Sequence, residues 1–407
     1  MKCRFCETEL TDVFLDLGSA PPSNAFITEA DLAEPELYFP LRLHTCRKCL
    51  LVQVDEVQKH DALFSSDYVY FSSFSSTWLK HAENYVDVAT KKLALDQNSL
   101  VMEIASNDGY LLQYFKQRNI PCVGVEPTAS TAIAAREIGI ETLERFFGLS
   151  FASEFIASRS QPDLIIGNNV LAHVPDINDF VAGLAAALAK EGIITVEFPH
   201  LMQLVAQGQF DTVYHEHFSY FSLHTVTKIF AAHGLRIWDV EELATHGGSL
   251  RLWACHQESA HEKTAAVDTL LADEVRAGML DIEYYLDFQP RADAIKYDFL
   301  RFLLDCKKND KKVAGYGAAA KGNTLLNYAG VKPDLLHFVA DASPHKCGRY
   351  LPGSRIPVLS ETHIRSTQPD FVVIFPWNLQ AEISEQLDYI RGWGGRFVTA
   401  VPELKIF

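Results

Sequence analysis

Long apolar runs, internal repeats and an excess of basic residues are all missing from this sequence of 407 residues. Without a stretch of about 20 apolar residues the sequence predicts no membrane-spanning helix, and its opening, MKCRFCETEL, has no apolar signal core. The formal net charge of −16 argues against a general nucleic-acid binder, because neutralising phosphates needs basic surface. We therefore expect a cytoplasmic protein that binds neither nucleic acid nor membrane.

Cysteine is scarce, but half of it is paired. Of eight cysteines, four form two CxxC pairs, Cys3 with Cys6 and Cys46 with Cys49. Two such turns can supply four thiolates to one tetrahedral zinc ion, although their separation exceeds that of a compact zinc ribbon. A redox dithiol and unligated thiols are the alternatives. Because four thiolates leave no open coordination position, we expect a structural zinc site and not a catalytic one.

Apolar strands and amphipathic helices alternate from SLVMEIA to IITVEFP, which predicts an α/β fold with a parallel sheet covered on both faces. Two further strands, LRIWDVEEL and SLRLWACH, predict a closing hairpin. Such a hairpin is typical of a Rossmann-like class I methyltransferase sheet and not of a nucleotide dehydrogenase. A helical stretch then leads to a second α/β unit that begins at KKVAGYGAAAKG.

The loop after the first strand, SNDGY, is expected to approach a ligand closely with its backbone. Ala105 and Asn107 occupy positions where a glycine-rich loop has glycines, so the loop lacks the GxGxxG pattern. Glu126, at the end of the next strand, is placed to accept hydrogen bonds from a ribose diol, with a solvated carboxylate as the alternative. With the hairpin, these features favour S-adenosylmethionine (SAM) over NAD. The predicted cofactor residues are Glu103, Ala105, Asn107, Gly109, Glu126, Asn168 and Asn169.

The segment TVYHEHFSYFS concentrates Tyr214, His215, Glu216 and His217. The HExxH spacing of a metal site is absent, and in an extended segment the two histidines share a face while Glu216 points away. A histidine is a suitable base for removing a proton beside a carbonyl group, because its pKa is near neutral. A hydrogen-bonded structural cluster is the alternative.

These motifs resemble the sugar C-methyltransferases that build branched deoxysugars from nucleotide-linked 4-keto-sugars. The resemblance runs almost end to end through the cysteine set, YVYFSSFSSTW, EIASNDGYLL, YHEHFSYFS, HGGSLRLW and GYGAAAKGNTLLN. It implies SAM and structural zinc as cofactors. It also implies three parts: a zinc-binding domain (1–70), a methyltransferase domain (71–258), and a helical connector with a C-terminal α/β domain that holds the sugar nucleotide (259–407).

The resemblance further implies that His217 is the base that removes the C3 proton to form an enolate, which SAM methylates. Glu216, Tyr214 and Tyr68 match residues grouped around the sugar, whereas no role is carried over to His215.

From the residues themselves, GYGAAAKG is either a diphosphate cradle at a helix N-terminus or a tightly packed turn. The expected substrate-binding residues are His246, Gly247, Arg251, Tyr316 and Lys321, and Arg251 is suited to bidentate phosphate contact.

Two other functions compete with this interpretation: an NAD-dependent nucleotide-sugar oxidoreductase that uses the GYG loop, and a non-catalytic sugar-nucleotide-binding protein. The sequence leaves open the base of the nucleotide (TDP, CDP or GDP), the exact sugar, the stereochemistry, and whether the protein is a monomer or a homodimer.

Overall fold

The N-terminal unit is a four-stranded antiparallel sheet. The structure is a computed structural model, and it describes residues 1–55 and 71–407. Its strands, in the order β1-β2-β3-β9, are β1 (Asp12–Ala20), β2 (Phe39–Thr45), β3 (Val52–Val54) and β9 (Ser219–Tyr220). Strand β9 belongs to the segment that carries the expected base, residues 210–222, here called the His217 loop. The N-terminal sheet therefore pairs directly with this loop.

The central unit contains a seven-stranded sheet in the order β10-β11-β8-β7-β4-β5-β6. Its parallel strands are β4 (Val101–Ile104), β5 (Cys122–Val125), β6 (Thr142–Leu143), β7 (Leu164–Asn168) and β8 (Ile193–Pro199). The hairpin of β10 (Leu235–Leu243) and β11 (Ser249–His256) closes the sheet in antiparallel fashion. This is the Rossmann-like α/β sheet with a terminal hairpin that the sequence predicts.

Helices surround this sheet, and short polar side chains begin several of them. The helices are α1 (Ser76–Leu93), α2 (Leu112–Gln117), α3 (Ala129–Glu137), α4 (Leu149–Ser158), α5 (Ile177–Ala187), α6 (Leu201–Ala206) and α7 (Leu223–Ala232). The Asp176 side chain accepts from Asp179 N at the start of α5, and Ser222 accepts from Thr225 N at the start of α7. These caps satisfy helix N–H groups that have no partner within the helix.

The C-terminal unit follows the predicted helical connector, which consists of α8 (Ala265–Arg276), α9 (Glu283–Leu286) and α10 (Phe288–Lys308). Its six-stranded sheet has the order β14-β13-β12-β15-β16-β17, in which only β17 is antiparallel. Its elements are β12 (Val313–Tyr316), α11 (Ala320–Ala329), β13 (Val339–Ala340), β14 (Val358–Leu359), α12 (Thr362–Thr367), β15 (Phe371–Ile374), α13 (Gln380–Gln386), β16 (Arg396–Thr399) and β17 (Lys405–Ile406).

One hydrophobic core joins the N-terminal unit to the C-terminal unit. Phe14 of β1 stacks on Phe288 of α10 with ring centroids 4.9 Å apart, and both side chains are fully buried. The same core includes Phe210 and Val213 of the His217 loop. None of the helices in the two described ranges is long and apolar enough to cross a membrane.

We predict that Gly183→Ala destabilises the central unit. A Cβ atom on Gly183 of α5 would lie 2.7 Å from the backbone carbonyl carbon of Gly148, which precedes α4. Overpacking against backbone costs about 1–3 kcal/mol, whereas the alanine gains only about 1 kcal/mol of helix propensity. Gly392→Ala is the matched control, because nothing in the described part of the chain lies within 4 Å of its Cβ position. Thermal unfolding should show a lower midpoint for Gly183→Ala alone, and equal midpoints would contradict the prediction.

Candidate active site

The four paired cysteines form one cluster. All four sulfur atoms lie within 4.8 Å of one another, and the Cys3–Cys49 and Cys6–Cys46 pairs are both 3.5 Å apart. Tetrahedral zinc with bonds of about 2.3 Å separates its sulfur ligands by about 3.8 Å, so the cluster fits the ion. All four cysteines are free of disulfide bonds.

The two CxxC turns have the same local geometry. Glu7 N donates to Cys3 O at 3.0 Å, and Leu50 N donates to Cys46 O at 2.8 Å. Glu7 and Leu50, each the residue after its pair, both adopt left-handed backbone conformations, with φ of 58° and 65°. This repeated turn presents both sulfurs of a pair to one point.

The loop between β4 and α2 has the backbone of a glycine-rich loop without the glycines. Ala105, Asn107 and Gly109 have φ of 52°, 50° and 78°. The positions where the sequence replaces glycine are therefore in the left-handed region that glycine favours, which non-glycine residues adopt only where surrounding structure requires it.

Glu126 stabilises this loop. Its side chain accepts hydrogen bonds from Asn107 N at 2.9 Å and from Thr128 N at 2.8 Å, and it is only 4% exposed. The solvated carboxylate that was its alternative is therefore excluded.

Several buried polar atoms at the carboxyl edge of β4 and β7 have no partner in the described ranges. They are Glu103 Oε2, Ser106 Oγ and both side-chain polar atoms of Asn168. Burial raises the pKa of Glu103 well above its usual value. Buried polar groups without partners are costly, and a bound ligand with its own donors and acceptors accounts for them. The edge thus fits a polar cofactor, and Asn169 adjoins it with φ of 55°.

The His217 loop is not extended where the sequence predicted it to be. His217 N donates to Tyr214 O at 3.0 Å, which closes a turn over residues 214–217. As a result His215 and His217 do not share a face. His215 Nε2 donates to Pro40 O at 3.2 Å on the side of the N-terminal unit, so the expectation of a shared face was wrong.

His217 is buried, and its ring is oriented by a backbone hydrogen bond. Its Nδ1–H donates to Thr212 O at 3.0 Å, which leaves the lone pair on Nε2. Its ring lies 4.0 Å from the Tyr214 ring and 4.7 Å from the His173 ring, centroid to centroid. Burial holds the pKa of His217 well below its usual value. A neutral imidazole with Nε2 unprotonated can accept a proton.

His173 and Glu216 complete this side of the site. His173 Nδ1 donates to Glu216 O at 2.7 Å, so His173 orients the loop backbone, and burial lowers the pKa of His173 to about 4. Glu216 is 5% exposed, and burial raises the pKa of its carboxyl group. Tyr68 lies outside the described residues.

The C-terminal unit contributes Lys321, in the first turn of α11. Its Nζ donates to Asn378 Oδ1 at 2.9 Å and lies 4.4 Å from the Trp377 ring centroid. Asp211 of the His217 loop accepts from Trp377 Nε1 at 2.8 Å, and burial raises the pKa of Asp211 to about 6. Sequence reasoning missed Asp211 and Trp377, because no local motif marks them.

The HGG turn brings the central unit to the same place. His246 has φ of 55°, its ring centroid lies 5.5 Å from that of Trp78, and burial lowers its pKa to about 4. A Cβ atom on Gly247 would lie 2.4 Å from the Trp377 ring, so glycine is required for this approach.

Two predicted substrate residues are placed elsewhere. Arg251 is 4% exposed, and its guanidinium donates to Glu197 Oε1 at 2.7 Å and to Glu241 Oε2 at 2.9 Å, so it is already paired and does not face a phosphate site. Tyr316 lies in the C-terminal core, where its hydroxyl accepts from Gln386 Nε2 at 2.8 Å. Its side chain points into the sheet packing because alternate strand residues face opposite sides.

Asp341, directly after β13, is another residue that the sequence analysis did not single out. Its carboxylate accepts from Ala318 N at 2.7 Å and from Ser343 N at 2.8 Å, which repeats the contacts of Glu126. The sequence does indicate this position, because LLHFVAD places an acidic residue at the end of the second strand of the C-terminal unit.

Comparison with known proteins agrees with this arrangement. Family models match in order: "Putative zinc binding domain" at residues 3–64, "Methyltransferase domain" at 78–240 and "C-methyltransferase C-terminal domain" at 244–402. Over 406 residues the chain is 34% identical to the C-methyltransferase NovU of Streptomyces niveus, covering 100% of this chain and 96% of that protein. The chain belongs to the C-methyltransferase family.

This C-methyltransferase is SAM-dependent and has a zinc-binding domain, and it is not an NAD-dependent oxidoreductase. Among solved structures, it is similar to the SAM-bound magnesium protoporphyrin IX methyltransferase of Synechocystis, with 15% identity, 48% of this chain and 88% of that chain covered, and a TM-score of 0.34. It is also similar to the 1,6-didemethyltoxoflavin-N1-methyltransferase of Burkholderia thailandensis, with 15% identity, coverage of 51% and 95%, and a TM-score of 0.37.

We predict one zinc ion per chain. Cys46→Ser should lower both the zinc content and the thermal stability, because a closed thiolate site contributes directly to folding. Cys122→Ser, at a cysteine outside the cluster, is the matched control. Metal analysis and thermal unfolding of both variants test this, and a Cys46→Ser protein with undiminished zinc would refute it.

We predict that Glu126→Ala weakens SAM binding by roughly 1.5–3 kcal/mol, the range for hydrogen bonds to a charged group. The substitution also leaves the N–H groups of Asn107 and Thr128 without their acceptor. Calorimetric titration should show this loss, whereas Glu137→Ala, at an exposed carboxylate on α3, should bind SAM as wild type does. Unchanged affinity in Glu126→Ala would remove Glu126 from the cofactor site.

Proposed function

We propose that this enzyme methylates C3 of a nucleoside-diphosphate-linked 4-keto-deoxysugar through an enolate formed by His217. A sugar carbon becomes nucleophilic only when a neighbouring ketone acidifies its proton. The family resemblance supports the substrate class, and the geometry of one histidine supports the reaction.

The observation that carries the proposal is the tautomer of His217. Its Nδ1–H is committed to Thr212 O, and burial favours the neutral ring. A base in this state is ready to accept the C3 proton on Nε2 without first losing one of its own. His173, bonded to the backbone at Glu216, holds the loop that presents this base.

Enolate formation places negative charge on the ketone oxygen, which requires hydrogen-bond donors. Tyr214 is the described candidate, since its ring lies 4.0 Å from that of His217. Tyr68 is the second candidate that the resemblance implies. When bound, SAM supplies an electrophilic methyl group, and Glu103, Asn168 and Glu126 are the residues that would hold it.

The nucleotide is assigned to the C-terminal unit (259–407), and SAM to the central unit (71–258). Gly317 has φ of 87° and begins the turn before α11, whose N-terminal N–H groups suit a diphosphate. Lys321 offers positive charge there, and Asp341 takes the position of a ribose-binding acid. Arg251 and Tyr316 are not part of this proposal.

We predict that His217→Ala lowers methyl transfer by about 10²- to 10⁴-fold, the range for losing general-base assistance, while ligand binding is retained. It should also slow C3 proton exchange in deuterated water. Because burial lowers the pKa of His217, wild-type activity should persist below pH 6.5, the ordinary histidine value. His215→Ala is the matched control and should be milder, since its ring bonds to Pro40 on the other side of the turn.

Mass-spectrometric methylation assays on a panel of TDP-, CDP- and GDP-linked 4-keto-sugars test the proposal. The corresponding 4-hydroxy sugars serve as the negative arm, because they lack the acidifying ketone. Transfer to no keto-sugar would reject the substrate class, and wild-type proton exchange in His217→Ala would place the base elsewhere.

A further inference from the structure

An asparagine of the N-terminal unit reaches the His217 loop. Asn24 Nδ2 donates to Glu216 Oε1 at 3.2 Å, across 192 residues of sequence. Asn24 lies in the connection between β1 and β2, in a turn where Ala25 N donates to Pro22 O at 3.1 Å and Phe26 N donates to Asn24 O at 2.9 Å. This turn, which begins at Pro22 and follows Pro21, presents the carboxamide in a fixed direction.

The Glu216 carboxyl group has few other partners. Its Oε2 is buried without a hydrogen-bond partner in the described part of the chain. Burial raises the pKa of Glu216, and hydrogen bonds from its own backbone and from the side chain and backbone of Asn24 lower it. The Asn24 carboxamide is thus a side-chain donor that orients this group and favours its charged form.

Both partners are fixed to the same helix of the C-terminal unit. Asn323 Nδ2 of α11 donates to Ser23 O at 2.6 Å, next to Asn24. Thr324 Oγ1 of α11 donates to Val213 O at 2.7 Å, at the start of the turn that carries Glu216. The Asn24–Glu216 contact is therefore held from both ends and does not depend on two flexible side chains meeting by chance.

We infer that Asn24 is a positioning residue for methyl transfer: its carboxamide holds Oε1 of Glu216 so that Oε2 is left for the substrate. This inference rests on the proposed function of the His217 loop. It gives the N-terminal unit a role in positioning the reacting groups, in addition to its metal site.

The first test needs no substrate. Carbon-13 NMR of protein labelled at glutamate carboxyl groups follows the titration of Glu216, whose resonance is identified by its absence in Glu216→Gln. Asn24→Ala should raise the pKa of Glu216, because it removes a hydrogen bond to the charged form. Asn178→Ala is the matched control: that amide also links the N-terminal and central units, by donating to Arg4 O and Phe5 O. It should leave the Glu216 titration unchanged.

The second test is kinetic and uses the full-length protein with zinc bound. Asn24→Ala should lower kcat roughly tenfold, in line with the loss of a hydrogen bond to a charged group, with a smaller change in KM. The apparent pKa in the pH profile of kcat should rise together with the pKa of Glu216. Asn178→Ala should move neither kcat nor the pH profile, even if it lowers stability.

An unchanged Glu216 titration in Asn24→Ala overturns the inference, as does an unchanged pH profile. If wild-type enzyme methylates no keto-sugar, the proposed function fails, while the NMR titration still decides whether Asn24 controls Glu216. The two failures are therefore distinguishable.

Discussion

The backbone of the His217 loop is held in place by donors from all three units of the protein. Thr324 Oγ1 donates to Val213 O, His173 Nδ1 donates to Glu216 O, and Val54 N donates to Phe218 O at 3.1 Å. The loop has little regular structure between residues 213 and 218, so these contacts determine its course. The position of the base thus depends on the docking of three sheets and not on any one of them.

Burial shifts the pKa values of the ionisable groups around the base towards their uncharged forms. It lowers the pKa values of His217, His173 and His246, and it raises those of Glu216 and Asp211. Removing a proton from carbon requires an unprotonated base. Burial in a low-dielectric setting favours the unprotonated form of His217, whose Nδ1 bonds to a backbone carbonyl and not to a carboxylate. Arg251 with Glu197 shows the other solution, in which a buried charge is retained because its partner is bonded directly to it.

Features set by local sequence could be predicted, whereas those set by tertiary pairing could not. The CxxC turns, the order of the central strands and the closing hairpin all follow from spacing and periodicity. Arg251 failed as a phosphate ligand because its partner, Glu197, lies opposite it on β8, a register that sequence does not reveal. Residues 215–217 were wrongly expected to be extended, because a single backbone hydrogen bond closes them into a turn. Asn24 could not be found, because nothing local distinguishes PPSN from any other turn.

The pairing of β9 with β3 has a consequence for how the molecule is made. The N-terminal sheet begins at residue 12, but its outer strand is Ser219–Tyr220. During synthesis, more than half of the chain must leave the ribosome before the sheet whose strands β2 and β3 flank Cys46 and Cys49 can be completed. The first segment to emerge is therefore among the later ones to reach its final structure. A truncated chain that ends soon after the fourth zinc-binding cysteine would retain the metal ligands but would lack an edge strand, and so would leave exposed the hydrogen-bonding groups that β9 covers.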